Sequence, residues 1–122
     1  MIVAGFGFRR AASEGALADA FERARDGRRI DRLAAPADKA AAPALLALAR
    51  ALDLPVEPVP ADTLRAQATL TNGAASRAAR GTGSVAEAAA LAAAGPGARL
   101  AAPRAVSRDA TATCAIAIGA SS

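Results

Sequence analysis

The sequence predicts an α/β domain of three layers, with helices on both faces of a mostly parallel five-stranded sheet and an antiparallel C-terminal strand. Three observations carry that expectation. Short apolar runs alternate with capped, amphipathic segments along the 122 residues, the order that builds an open sheet with helices on its faces. The opening run Ile2-Val3-Ala4-Gly5-Phe6 is apolar at every position, as in a strand covered on both sides. The last two apolar runs are joined by too few residues for a crossover helix, which makes them antiparallel to each other.

The first strand leaves through Gly5-Phe6-Gly7-Phe8-Arg9-Arg10. A G-x-G at a strand exit resembles the start of a dinucleotide fingerprint. Arg10 stands where the third glycine belongs, however, and no acidic residue clearly ends the next strand, so a dinucleotide site is not expected. Gly5 and Gly7 either only turn the chain or clear space beside Arg9 and Arg10, whose guanidinium groups can grip carboxylates in two-point fashion.

Ser13 is expected to cap a helix whose stripe is Leu17, Ala20, Phe21 and Ala24, with Gly27 stopping it. Arg23, Arg25, Arg28 and Arg29 gather at its far end, where they suit the helix dipole. No aromatic residues interleave with them to stack bases, which favours a solvated face over a nucleic-acid patch.

Residues 32–35 read as the second strand, left through Pro36-Ala37-Asp38-Lys39. Pro43 suits the first turn of a helix that buries Leu45, Leu46, Leu48, Ala49 and Leu52. Residues 54–59 form a third strand, whose two prolines assign it to an edge or an end. Residues 62–67 read as a short helix capped by Asp62, and residues 69–73 as a loop. A further short helix carrying Arg77 and Arg80 leads into Gly81-Thr82-Gly83-Ser84.

Ser84 and Glu87 have the spacing of a capping box, in which the glutamate reaches back to the serine N–H. The helix they open runs to Ala94 and stops at Gly95-Pro96-Gly97. Residues 99–103 are the fourth strand, residues 104–109 a polar excursion, and residues 112–118 the last strand. Cys114, Ile116 and Ile118 share one of its faces. Ala120-Ser121-Ser122 is expected to fray.

Composition narrows the chemistry. The net charge of +4 comes from fourteen arginines and one lysine against eleven acids, which favours anionic partners: nucleic acid, phosphorylated metabolites or polycarboxylates. The chain has no histidine and one cysteine, so the usual neutral-pH base, an intrachain disulfide and a structural zinc site are all excluded. No metal and no cofactor are expected. Cys114 is read as a small buried hydrophobe. No apolar run reaches the roughly 20 residues of a membrane span, and Arg9 and Arg10 follow the first apolar stretch instead of preceding it as in a signal peptide. A soluble cytoplasmic protein is the expectation.

Two features stay open on the residues alone. Gly81, Gly83 and Ser84 either form an anion seat at a helix N-terminus or simply lead a capped helix out of a loop. Lys39, the lone lysine among arginines, either stands there by chance or supplies a compact, rotatable ammonium that arginine cannot. In open α/β sheets ligands bind beyond the carboxyl ends of the strands. The exits at residues 5–10, Asp38-Lys39 and the Gly81 turn are therefore expected to converge on one positively charged cleft.

Four stretches taken together resemble a known family: Gly5-Phe6-Gly7-Phe8-Arg9-Arg10, Ala37-Asp38-Lys39, Gly83-Ser84-Val85-Ala86-Glu87-Ala88-Ala89-Ala90-Leu91, and Thr113-Cys114-Ala115-Ile116-Ala117. In this order they are similar to the CobE family of cobalamin biosynthesis, equivalent to the C-terminal domain of CbiG, with residues 1–122 as one such domain. The resemblance implies a role in the corrin-ring pathway, whose intermediates are macrocycles edged with acetate and propionate groups. In two-domain CbiG the family activity is opening the δ-lactone of cobalt-precorrin-5A with loss of acetaldehyde; CobE-like chains lack the N-terminal part and belong with the aerobic pathway. A lysine stands at the position of Lys39 in the family pattern, which implies ligand contact there. Two departures are visible. Ala42 replaces a usual acid, and Asn72-Gly73-Ala74-Ala75 replaces a Ser-acid-Ala-Val-like stretch.

The expectation is thus a protein that binds an anionic corrinoid or precorrin intermediate through Gly5, Gly7, Arg9, Arg10, Asp38, Lys39, Gly81, Gly83 and Ser84. Lys39 and Glu87 are the candidates for proton transfer, Glu87 being equally open to a purely capping role. The competing readings are a nucleotide or nucleic-acid binding module and an accessory subunit of another cobalamin-pathway enzyme.

Overall fold

In the computed structural model, which describes residues 1–120 and leaves out the side chains of Ala75 and Ala79, the chain runs through β1 (Ile2–Phe8), α1 (Glu14–Arg25), β2 (Arg32–Pro36) and α2 (Pro43–Leu52). It continues through β3 (Val56–Val59), α3 (Ala61–Arg65), α4 (Ala74–Arg80), α5 (Val85–Ala94), β4 (Arg99–Leu100), β5 (Ala105–Val106) and β6 (Ala112–Ile118). Of the tail expected to fray, Ser121 and Ser122 lie outside the described residues.

β1 is the centre of the sheet. β2 pairs with it in parallel and β3 in parallel with β2, so that the proline-bearing strand is an edge. On the other side β6 runs antiparallel to β1 along its whole length, from Ile2 opposite Ile118 to Phe8 opposite Ala112. β4 and β5 pair antiparallel with opposite ends of β6. The sheet therefore has six strands where five were expected. The run read as one strand from residue 99 breaks after Leu100, and pairing resumes at Ala105 inside the stretch read as a polar excursion.

Alternation along β1 divides the core. Ala4 and Phe6 face α1 and α2, joining Leu17, Phe21, Leu33, Leu45, Leu48, Cys114 and Ile116 in one buried cluster. Val3 faces the opposite way, with Val59, Leu64, Ala88 and Ala89 of the α3 and α5 side. Helices thus cover both faces in three layers. The close approach of α5 depends on Gly5, where an added Cβ would overlap the Ala86 carbonyl and the Ala90 backbone. An alanine-rich helix on a glycine gives this layer its spacing, since neither surface carries a side chain that would hold them apart.

The local signals at the start of α1 and α2 act as read, but Leu46, expected on the buried face of α2, is exposed. Ser13 Oγ accepts from Ala16 N at 3.1 Å, and α1 ends at Asp26 and Gly27, both in the left-handed region. Pro43 occupies the first turn of α2. α3 differs: Pro60, with φ fixed near the helical value, is its N-cap, and Asp62 lies inside the first turn, accepting only from Thr63 N. Burial pushes the Cys114 thiol pKa up, consistent with an inert core position.

Candidate functional site

The carboxyl ends of β1 and β2 and the start of β6 lie at one edge of the sheet, because β6 enters beside Phe8. A cleft of about 540 Å³ opens there, lined by Gly7, Arg9, Lys39, Arg80 and Arg104 among others. Its apolar surface comes from Phe8, Pro36, Val85 and Val106. Four cations from four separate segments meet in it: the β1 exit, the β2 exit, α4, and the turn between β4 and β5. Among the described residues no acidic side chain lines it. Two larger hollows, of about 640 and 840 Å³, hold one arginine each. Chemistry, not size, singles out the smaller one.

Lys39 Nζ donates to the Phe8 carbonyl at 3.2 Å and sits 5.0 Å from the Phe8 ring centroid. A carbonyl and an aromatic face orient an ammonium without neutralising it, so its charge stays available to a ligand. Among the described residues Arg9, Lys39 and Arg104 form no salt bridge; the cleft cation that does is Arg80, held by Asp38 at 2.6 and 3.0 Å. The turn before β6 also lines the cleft. Asp109 accepts from Ser107 Oγ, Thr111 N and Thr111 Oγ1, and the Thr111 carbonyl accepts from Arg9 N at 2.9 Å.

Of the residues singled out in the sequence, Gly7, Arg9 and Lys39 line the cleft, and Asp38 stands beside it through Arg80. Gly5 does not: it lies under α5, where its missing side chain serves packing. Arg10 is exposed in the turn after β1 and outside the cleft lining.

The Gly81–Ser84 turn departs most from expectation. Gly81 ends α4 with φ 71°, and Gly83 is buried where a Cβ would collide with Thr69, Thr71 and Asn72. The space left by Gly83 is taken by the protein's own loop at residues 69–72, and that left by Gly81 by the Arg65 side chain. Ser84 is fully buried, its Oγ accepting from Glu87 N at 3.3 Å. α5 contributes Val85 to the cleft instead.

Glu87 makes only half of the expected capping box. Its carboxylate turns away from Ser84 and accepts from Leu70 N at 2.6 Å, Thr71 N at 2.9 Å, Thr71 Oγ1 at 2.6 Å and Arg104 N at 2.9 Å. Burial raises the carboxyl pKa, but the Thr71 hydroxyl and the N–H groups of Thr71, Arg104 and Leu70 outweigh it, and the net shift is downward. A fully bonded carboxylate with a depressed pKa is a structural anion. It ties the loop at residues 69–72 and the backbone of Arg104 to α5, behind the cleft and not in it.

Arg80, Arg104, Ser76, Ala110, Thr111 and Thr113 complete the lining and were not nominated from the sequence. For Arg80 and Arg104 the available signal was only that they are arginines, which does not distinguish them from the twelve others. No described helix is long and apolar enough to cross a membrane, and no group of histidine, cysteine or acidic residues among the described residues is arranged to hold a metal ion.

Comparison with known proteins adds the family. Sequence comparison with curated proteins finds no match. CobE, a protein from the cobalamin (vitamin B12) biosynthetic pathway, superposes with a TM-score of 0.85 at 34% identity, over 96% of this chain and 89% of CobE. The cobalamin biosynthesis protein chiG from Agrobacterium tumefaciens matches with a TM-score of 0.74 at 38% identity, over 98% of this chain and 99% of that one. A cobalamin biosynthesis protein G homolog from Sulfolobus solfataricus shares the fold, with a TM-score of 0.69 at 18% identity over 95% of this chain and 36% of its own. The family model described as Cobalamin synthesis G C-terminus matches residues 2–117, and the chain belongs to that family of cobalamin biosynthesis proteins.

Proposed function

We propose that the cleft binds a polycarboxylate tetrapyrrole-derived intermediate of corrin-ring synthesis by one edge of its macrocycle. The observation that carries this reading is the meeting of Arg9, Lys39, Arg80 and Arg104 around an apolar floor with no acidic lining residue among those described. Spaced cations match spaced acetate and propionate groups, while Phe8, Val85 and Val106 suit the apolar rim of the ring. The volume falls within the range of small-molecule sites, and a whole macrocycle would project from it.

If turnover occurs, as lactone opening or a later corrin-ring step, Lys39 is the residue on hand to move a proton. Glu87, bonded to four donors, is left to hold the walls. A role for the domain beside another cobalamin-pathway enzyme is favoured by one fact: in the Sulfolobus homolog the same fold is a third of a longer chain. Copurification with such an enzyme, and activity only in the mixture, would establish it. Nucleotide or nucleic-acid binding has less support, since Phe8 is the one aromatic residue among those lining the cleft and stacking surfaces are what such sites require.

The chain contains neither Trp nor Tyr, so a bound tetrapyrrole is read without interference in the near ultraviolet and visible. Titration with a hydrogenobyrinic-type corrinoid is expected to give a saturable spectral shift, weakened roughly tenfold in Lys39→Ala. Binding to unrelated nucleic acids with a steep salt dependence and no corrinoid shift would replace this reading with the electrostatic one.

A further inference from the structure

Arg80 differs from the other cleft cations in having a partner already. Both of its terminal nitrogens reach the Asp38 carboxylate, at 2.6 and 3.0 Å, in the two-point geometry by which guanidinium reads any carboxylate. The two sides of the pair are unequally exposed. The Arg80 side chain keeps 22% of its accessible surface and the Asp38 side chain 64%. Asp38 can return to water at little cost, whereas the guanidinium is committed to the cleft wall. Exposed ion pairs of this kind contribute at most about 1 kcal/mol, so the bond is easily traded.

A second feature of the same wall points the same way. Ser76 lies one helical turn before Arg80 on α4 and lines the same cleft. Its Oγ is buried and has no hydrogen-bond partner among the described residues. A buried hydroxyl left unsatisfied is costly, and a turn of its side chain toward a carboxylate seated on Arg80 would give it an acceptor. Asp38 leaves that hydroxyl unpaired.

We infer that Asp38 is a resident stand-in for a ligand carboxylate: it holds the Arg80 fork in place while the cleft is empty and gives it up to a carboxylate of the incoming molecule. This rests on the polycarboxylate reading above and sharpens it, since it turns Asp38 from a ligand contact into a competitor. By this exchange the α4 wall selects carboxylates. A neutral amide or ester at the same place cannot take over the charge-assisted pair and leaves Asp38 where it was.

The test uses the full chain and uroporphyrin I, an octacarboxylic tetrapyrrole, in absorbance titrations at constant ionic strength. Asp38→Asn is expected to tighten binding about two- to fivefold, the equivalent of an exposed ion pair removed from competition. Arg80→Lys, which keeps the charge and loses the fork, and Arg80→Ala are expected to weaken it roughly tenfold or more. In the double variant Arg80→Ala with Asp38→Asn, the gain from Asp38→Asn should vanish. Uroporphyrin octamethyl ester should bind wild type and Asp38→Asn equally.

Unchanged or weaker binding by Asp38→Asn overturns the exchange and makes Asp38 a support for α4. A gain that persists without Arg80 also overturns it, attributing the effect to net charge. Failure of wild type to take up uroporphyrin at all overturns the polycarboxylate reading itself, and the exchange with it.

Discussion

The Glu87 knot and the cleft in front of it hold most of the unusual charge in this molecule, and they are opposites. Glu87 is one buried anion with four donors converging on it. The cleft is four cations from four segments, three of them without a salt bridge among the described residues. A buried charge whose bonds are all made within the chain organises structure. Charges left without partners at a concave surface are available to something else. The two are joined through Arg104, whose backbone N–H is held by Glu87 while its side chain lines the cleft.

Substitutions that disturb packing behind the cleft should have the largest effects. Gly5→Ala places a methyl group inside the Ala86–Ala90 backbone of α5 and is expected to cost about 3 kcal/mol in denaturant unfolding. A neutral result would mean that α5 does not sit on β1 as described.

Glu87→Gln keeps the shape but offers an NH₂ group to donors, and is expected to cost about 2 kcal/mol. Its pH dependence gives a sharper reading. The folded carboxyl lies below its usual value of 4.5, so the stabilisation is complete above that pH and is lost as pH falls through the folded pKa. Wild type should therefore lose stability in acid more steeply than Glu87→Gln. Asp19, Asp38 and Asp109, also depressed, leave the variant a residual slope. Parallel acid profiles would count against the knot.

The smallest effect on stability is expected in front of it. Arg9→Ala and Arg104→Ala should each change unfolding free energy by no more than about 0.5 kcal/mol, while weakening uroporphyrin. A large loss of stability on removing either cation would erase the distinction between knot and cleft.

What the sequence revealed follows the same division between near and far. Ser13, Pro43 and the serine half of the Ser84 cap act within a turn of their own positions, and each is where local chemistry places it. The apolar runs of β1 and β6 are long enough to announce buried strands, and the short link before β6 announces its direction. The partners of Glu87 lie 16 or 17 residues away, in loops without periodicity, so its spacing to Ser84 suggested a capping box that is only half made. Gly5 and Gly83 illustrate the same limit. A glycine advertises that something comes close, and only the fold shows that the neighbours are α5 and the loop at residues 69–72. β5, two residues long, has no pattern of its own and exists because β6 offers it an edge. Arg80 and Arg104 enter the cleft through the packing of α4 and of the β4–β5 turn, which no local signal encodes.

The central claim is that this cleft, and not either larger hollow, receives a polycarboxylate tetrapyrrole. The direct measurement is an ¹⁵N-resolved NMR titration of the full chain with uroporphyrin I. Saturable shifts centred on Gly7, Arg9, Lys39, Arg80, Arg104, Thr111 and Thr113, with Asp38 shifting as it leaves Arg80, are the expected result. Shifts centred instead on residues 92–100 or 49–58, with these seven unmoved, would contradict it.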